Sequence, residues 1–187
     1  MNEAHQICGS HEWRDFMRDT LFPWALGDAT LGADVLEVGP GYGAVTDLLS
    51  GMTPAVTSVE IDAELAAMLR DRFAEVPTVQ IVEGDATQLA FPDEKFTGAA
   101  CFTMLHHVPT ADLQDRLLAE VARVLQPGAP LVVSDSAPSD DLEALHDGDT
   151  YNPIDPAGVA DRLAAAGFTD IQVRTDEGRW SAVAYAR

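Results

Sequence analysis

Strand and helix alternate five times along this 187-residue chain, and no other feature narrows the fold as far. Short apolar runs at about residues 34–39, 56–62, 79–86, 97–108 and 130–136 read as strands. AVTDLLSGM reads as a helix ending near Gly51, and residues 63–76 place Leu65, Met68, Leu69, Phe73 and Val76 on one helical face. LQDRLLAEVARVL aligns Leu113, Leu117, Val121 and Val124, and residues 156–168 form a helix with Gly167 as a left-handed cap. This alternation implies a parallel sheet covered by helices on both faces, and right-handed crossovers make it doubly wound. Residues 171–187 split at Glu177–Gly178 into two further strands, a hairpin expected at the sheet edge. Ahead of the first strand, Trp13, Phe16, Met17, Leu21 and Trp24 recur at helical spacing, with Ser10 placed to cap the helix and Pro23 expected to kink or end it.

In an α/β sheet of this kind ligands sit beyond the C-terminal strand ends. The chemistry-bearing residues fall there. VLEVGPGYG (35–43) ends the first strand with Glu37, Gly39, Gly41 and Gly43, and a helix follows at once. Glycine permits positive φ and removes the Cβ, so a ligand can approach the main chain. The second strand ends in Glu60 and Asp62, the third in Asp85. Asp62 also reads as the N-cap of the helix after it.

Two readings compete for the glycines. Gly39-x-Gly41-x-x-Ala44 fits the dinucleotide fingerprint, with Glu60 at the separation that fingerprint wants. Against it, Glu37 puts a carboxylate inside the turn, where a pyrophosphate would be repelled. Gly43 also fills the spacing, and Asp85 adds a nucleoside contact that a nicotinamide enzyme does not require. The ligand that wants this order of groups is S-adenosyl-L-methionine. Its ammonium pairs with a carboxylate near Glu37, its ribose diol donates to Glu60, its adenine amino group donates to Asp85, and the Ala86 N–H serves ring N1. Tyr42, between two turn glycines, is placed to cover the cofactor or touch substrate, or is exposed filler.

Four segments, VLEVGPGYGAVT, SVEID, EGDATQLAFPDEKF and CFTMLHHVP with EVARVLQPGAPLVVSD, resemble the class I S-adenosylmethionine-dependent methyltransferases, in the broad group containing the ubiquinone-biosynthesis enzymes. The resemblance spans about residues 34–136. It implies a Rossmann-like sheet of seven strands in the order 3-2-1-4-5-7-6, the seventh antiparallel. It implies that Glu37, Gly39 and Gly41 line the methionine part, Glu60 the ribose, and Asp85 with Ala86 the adenine. Ile61 would pack on the adenine face, and Phe102 and Thr103 would lie under the cofactor. It also implies that His107 faces the crevice, as base, substrate contact or structural hydrogen-bonding group. Two positions depart from the family pattern: Thr97 stands where an aspartate is frequent, and Ala129 where P-G-G is usual.

Net charge is −20, from 31 acids against 11 bases, with Lys95 the only lysine. Phosphate backbones repel such a surface, so no nucleic-acid partner is expected. No stretch approaches a membrane span, and the first residues lack the basic lead and apolar core of a secretion signal. Cys8 and Cys101 are too few for a disulfide framework and suit a reducing cytoplasm; Cys101 reads as core. No metal site is expected, because His106 and His107 on one helix would point two ways without other ligands nearby; His106 reads as a surface or packing residue. Residues 136–156 form the one long loop-like segment, and His146 and Tyr151 in it, with Asp135 just before it, are substrate contacts or solvated filler. The weaker substrate-side candidates are His11, Trp13 and Phe16. The expectation is one domain over 1–187, with a helical lead over 1–30 placed to lid the cofactor. Its function would be methyl transfer to a small-molecule O, N or C nucleophile. The alternatives are a non-catalytic nucleoside-binding module and a nicotinamide-dependent oxidoreductase.

Overall fold

Residues 7–187 are described by the computed structural model, so the opening of the expected lead, residues 1–6, lies outside it. Seven strands form one sheet: β1 (Asp34–Val38), β2 (Ala55–Glu60), β3 (Val79–Glu83), β4 (Gly98–Phe102), β5 (Pro130–Ser136), β6 (Phe168–Asp176) and β7 (Arg179–Ala186). Their spatial order is β3-β2-β1-β4-β5-β7-β6. The first five pair in parallel; β7 runs antiparallel between β5 and β6. The doubly wound sheet and its C-terminal hairpin therefore stand as the sequence implies.

Alternate strand residues point to opposite faces, and the core divides accordingly. Leu36, Val38, Cys101, Leu131 and Val133 join Leu117, Leu118, Val121 and Val124 of α5 (Ala111–Val124) and Leu163 of α7 (Val159–Ala166). Val35, Ala100, Phe102 and Val132 meet the lead segment and Leu49 of α3 (Ala44–Met52) on the other face. α4 (Ala63–Arg72) covers β2 and β3. It begins at Asp62, whose carboxylate accepts the Glu64 and Leu65 N–H groups, as its place before the helix requires.

The lead comprises α1 (His11–Phe16), a π-helical turn (Met17–Leu21) and α2 (Phe22–Leu26). Ser10 caps it, accepting from the Trp13 N–H at 3.0 Å. Pro23 does not end the helix. The wider π turn carries the backbone past the point where the proline ring would strike the carbonyl four residues earlier, and termination falls to Gly27 at φ 54°. The segment 136–156 is also not all loop: α6 (Asp140–Leu145) sits in it, capped by Ser139, whose hydroxyl accepts the Leu142 N–H. Thr97 ties the start of β1 to that of β4, its hydroxyl accepting the Ala33 and Asp34 N–H groups at 2.8 and 2.9 Å. Its departure from the family pattern lies at the end of the sheet away from the site. Among the described residues no helix is long and apolar enough to cross a membrane.

Candidate functional site

A cavity of about 440 Å³ opens at the C-terminal ends of β1, β2, β3 and β4, a volume suited to a nucleoside-sized ligand. Every residue that the sequence reading placed at a cofactor reaches it. Glu37, Gly39, Gly41 and Tyr42 line it from the turn after β1. Glu60 and Ile61 line it from β2, and Asp85 and Ala86 from the segment after β3. Phe102, Thr103 and His107 close it from the β4 side.

The three turn glycines have different reasons for being bare. A Cβ on Gly41 would meet no heavy atom within 4 Å, and the residue lines the cavity at φ 54°, so no protein packing accounts for the bare backbone there. A Cβ on Gly39 would strike the Met104 side chain at 2.8 Å, and one on Gly43 would strike Leu69 at 2.7 Å. Protein packing, rather than ligand approach, excludes side chains at those two positions. Thr103, a β-branched residue at φ 50°, holds strained backbone beside the cavity, its N–H donating to the Ser134 carbonyl at 2.8 Å.

Glu37 is 2% exposed. Its Oε2 accepts the hydroxyls of Thr46 at 2.7 Å and Ser58 at 2.5 Å; the parallel register sets Ser58 directly beside it. Its Oε1 is buried and has no hydrogen-bond partner among the described residues. Burial, only partly offset by those hydroxyls, pushes its pKa up to about 7. Glu60 is also buried and raised by desolvation, although Oε1 accepts the Asp62 N–H and Oε2 the Gly41 N–H, both at 3.0 Å. Asp85 is exposed and caps the turn Ala86–Gln88, accepting the Thr87 N–H at 2.8 Å. These groups fit S-adenosyl-L-methionine. The orphaned Glu37 oxygen wants a cationic donor, the second lone pairs of Glu60 suit a diol, and Gly41 leaves room for the chain between them.

On the acceptor side, the turn Leu105–His107 directs His107 into the cavity and His106 behind it. His106 is buried, its Nδ1 2.6 Å from Asp135 Oδ1 and its N–H donating to Asp135 Oδ2. The same turn brings the two adjacent rings to 4.1 Å, and His146 packs 4.9 Å from the His106 ring. The expectation that the pair stands without other ligands nearby is therefore corrected: His146, at the end of α6, joins them, its ring 4.9 and 5.1 Å from theirs. Asp135, His146 and Tyr151 stand behind the cavity wall rather than on it. Of the lead candidates Trp13 lines the cavity; His11 and Phe16 do not. The sequence reading missed Cys8, Met17, Asp149 and Thr150, which also line it. Helical spacing marked Met17 only as a packing residue, Asp149 and Thr150 lie in the 136–156 segment without being singled out, and Cys8 carried no signal.

Residues 36–133, just over half of the chain, match the family described as methyltransferase domain. Ribosomal RNA small subunit methyltransferase A of Parasynechococcus marenigrum is 40% identical over 131 residues, 67% of this chain and 42% of that protein. The chain thus spans less than half the length of the curated relatives it matches. A Pyrococcus horikoshii protein superposes with a TM-score of 0.80 at 19% identity, covering 100% of both chains. A SAM-dependent methyltransferase from Aquifex aeolicus gives 0.74 at 18%, covering 92% of this chain and 93% of its own. The ribosomal RNA relatives overturn the expectation that a nucleic-acid partner is excluded. Net charge sums the whole surface, whereas base-modifying enzymes meet nucleic acid through local contacts and an extruded base.

Proposed function

The chain belongs to the methyltransferase-domain family with S-adenosyl-L-methionine as its cofactor, and from that premise we propose that it transfers a methyl group to a small-molecule O, N or C nucleophile. The observation that supports the cofactor's place is the orphaned, buried oxygen of Glu37, a residue that lines the same cavity as Glu60 and the bare Gly41. When bound, the cofactor supplies a methyl group already activated by its sulfonium. Glu37 then holds the ammonium, Glu60 the ribose hydroxyls, Asp85 and the Ala86 N–H the adenine, and Ile61 packs on its face. Tyr42, Phe102 and Thr103 fix the middle of the cofactor. His107 contacts the acceptor, and the lead segment, through Trp13 and Met17, lids the cavity against water. Alignment and exclusion of water are the main work asked of such a site. Cys8 and Cys101 are both free, in keeping with a reducing, cytoplasmic setting.

A second reading, that the acceptor is a base in RNA, is favoured by the names of the relatives. Calorimetric titration with S-adenosylmethionine, S-adenosylhomocysteine and NADH tests the cofactor: heat with NADH alone would sink the proposal. Tritium transfer from labelled cofactor to ribosomal RNA or to a small-molecule panel then separates the acceptors. RNA methylation whose KM rises steeply with salt would favour the second reading.

A further inference from the structure

Three imidazoles meet behind the acceptor wall. His106, His107 and His146 each offer a ring nitrogen, and these nitrogens lie within 4.8 Å of one another. His106 and His146 are 6% and 3% exposed, while His107 reaches the cavity. Two of the rings are held through Nδ1 by buried or part-buried oxygens. Asp135, 2% exposed, takes His106 Nδ1 at 2.6 Å, and the Leu142 carbonyl takes His146 Nδ1 at 2.6 Å. An Nδ1–H committed to an oxygen makes Nε2 the basic nitrogen of each ring. A buried carboxylate or carbonyl behind the imidazole is the arrangement that orients ligating histidines. The rings come from separate elements, His106 and His107 from the turn after β4 and His146 from the end of α6.

We propose that His106, His107 and His146 bind a divalent transition-metal ion of the zinc class, with Asp135 as its outer carboxylate. Three neutral imidazoles select borderline metals over magnesium or calcium, which want oxygen ligands. Metal–nitrogen bonds of about 2.1 Å require the rings to close by about 1 Å, a movement that rotation of the half-buried His107 supplies. Among the described residues the cluster offers three protein ligands, and a fourth position taken by water or substrate would make the site catalytic rather than structural. Because His107 lines the cavity, the bound ion would supply a Lewis acid beside the acceptor, with His107 a ligand rather than a free base. This part rests on the acceptor-side assignment of His107 made above.

The test is titration of untagged, metal-stripped full-length protein with Co²⁺, followed by visible absorption, and back-titration with Zn²⁺. One equivalent giving the intense d–d bands of four- or five-coordinate cobalt, bleached by zinc, is the expected result. His146→Ala and His106→Ala should weaken cobalt binding at least tenfold, and Asp135→Asn, which keeps shape but loses the charge behind His106, about 10–100-fold. Circular dichroism and S-adenosylhomocysteine titration report whether each variant is folded. The inference is overturned if no stoichiometric cobalt spectrum forms, or if a folded His146→Ala protein binds cobalt as tightly as the parent. Cobalt binding without S-adenosylhomocysteine binding would instead refute the function proposed above and leave the metal site standing.

Discussion

Glu37 makes the stability of the ligand-free protein depend on pH in a direction opposite to that of an ordinary surface carboxylate. Its folded-state pKa is about 7 against an ordinary 4.5, burial being the main cause. The folded chain therefore holds this proton more tightly than the unfolded chain does. The associated stability is fully present below pH 4.5 and is lost as pH rises through 7. The difference corresponds to about 3 kcal/mol. Glu37→Gln removes the titration but keeps the shape: its amide oxygen can accept from Thr46 and Ser58, and its NH₂ takes the place of the orphaned oxygen. Chemical unfolding of both proteins at several pH values from 5 to 8, without ligand, gives a difference curve in which every other titrating group cancels. The parent should lose about 2.5 kcal/mol relative to the variant across that range. Ligand binding should run the other way. An ammonium favours ionised Glu37, so S-adenosylhomocysteine should bind the parent more tightly as pH rises through 7, and bind the variant with no such dependence. At pH 8 the variant should be weaker by about 1.5–3 kcal/mol, the worth of a charge-assisted hydrogen bond. Parallel stability curves for the two proteins would refute the argument that this carboxylate is held ionised only at a cost.

Glu60→Ala should weaken S-adenosylhomocysteine by about 1–3 kcal/mol in calorimetry, through loss of a charged acceptor; unchanged affinity would move the ribose contact elsewhere. Gly41→Ala and Gly43→Ala should part company. Both pay about 1–2 kcal/mol for positive φ, but only the second drives a Cβ into Leu69 and Arg72. Thermal melting should thus fall further for Gly43→Ala, whereas S-adenosylhomocysteine affinity should fall further for Gly41→Ala. Phe96, with no exposed surface and edge-on to Phe91, should cost about 3–5 kcal/mol on conversion to alanine, measured by denaturant unfolding.

Local pattern and short-range chemistry made most of this structure readable. A parallel sheet sends its strand ends to one edge, so acids at the ends of three strands had to share a crevice, and Glu37, Glu60 and Asp85 do. The helix starts at Ser10 and Asp62 were legible because a cap acts within three residues. What resisted reading were meetings across long separations. The contact of Gly39 with Met104, and of Gly43 with Leu69, gave two glycines a packing reason that the turn itself does not reveal. The convergence of His146 on His106 and His107 depends on how α6 folds back, and that segment shows no periodicity from which its path follows. Pro23 was expected to kink or end the helix; it does not end it, because the rule for a proline in a helix assumes regular α geometry, which the π turn before it abandons.

The walls of the cavity come from places as distant along the chain as Cys8, Gly41, Asp85 and Thr150. No fragment short of nearly the whole sheet carries them together, so occupancy reports global rather than local order. By mass action, a ligand at about a hundredfold its dissociation constant adds roughly 2.7 kcal/mol to the unfolding free energy. Protease resistance gained on adding the nucleoside should therefore extend to the C-terminal hairpin, which contributes no side chain to the cavity.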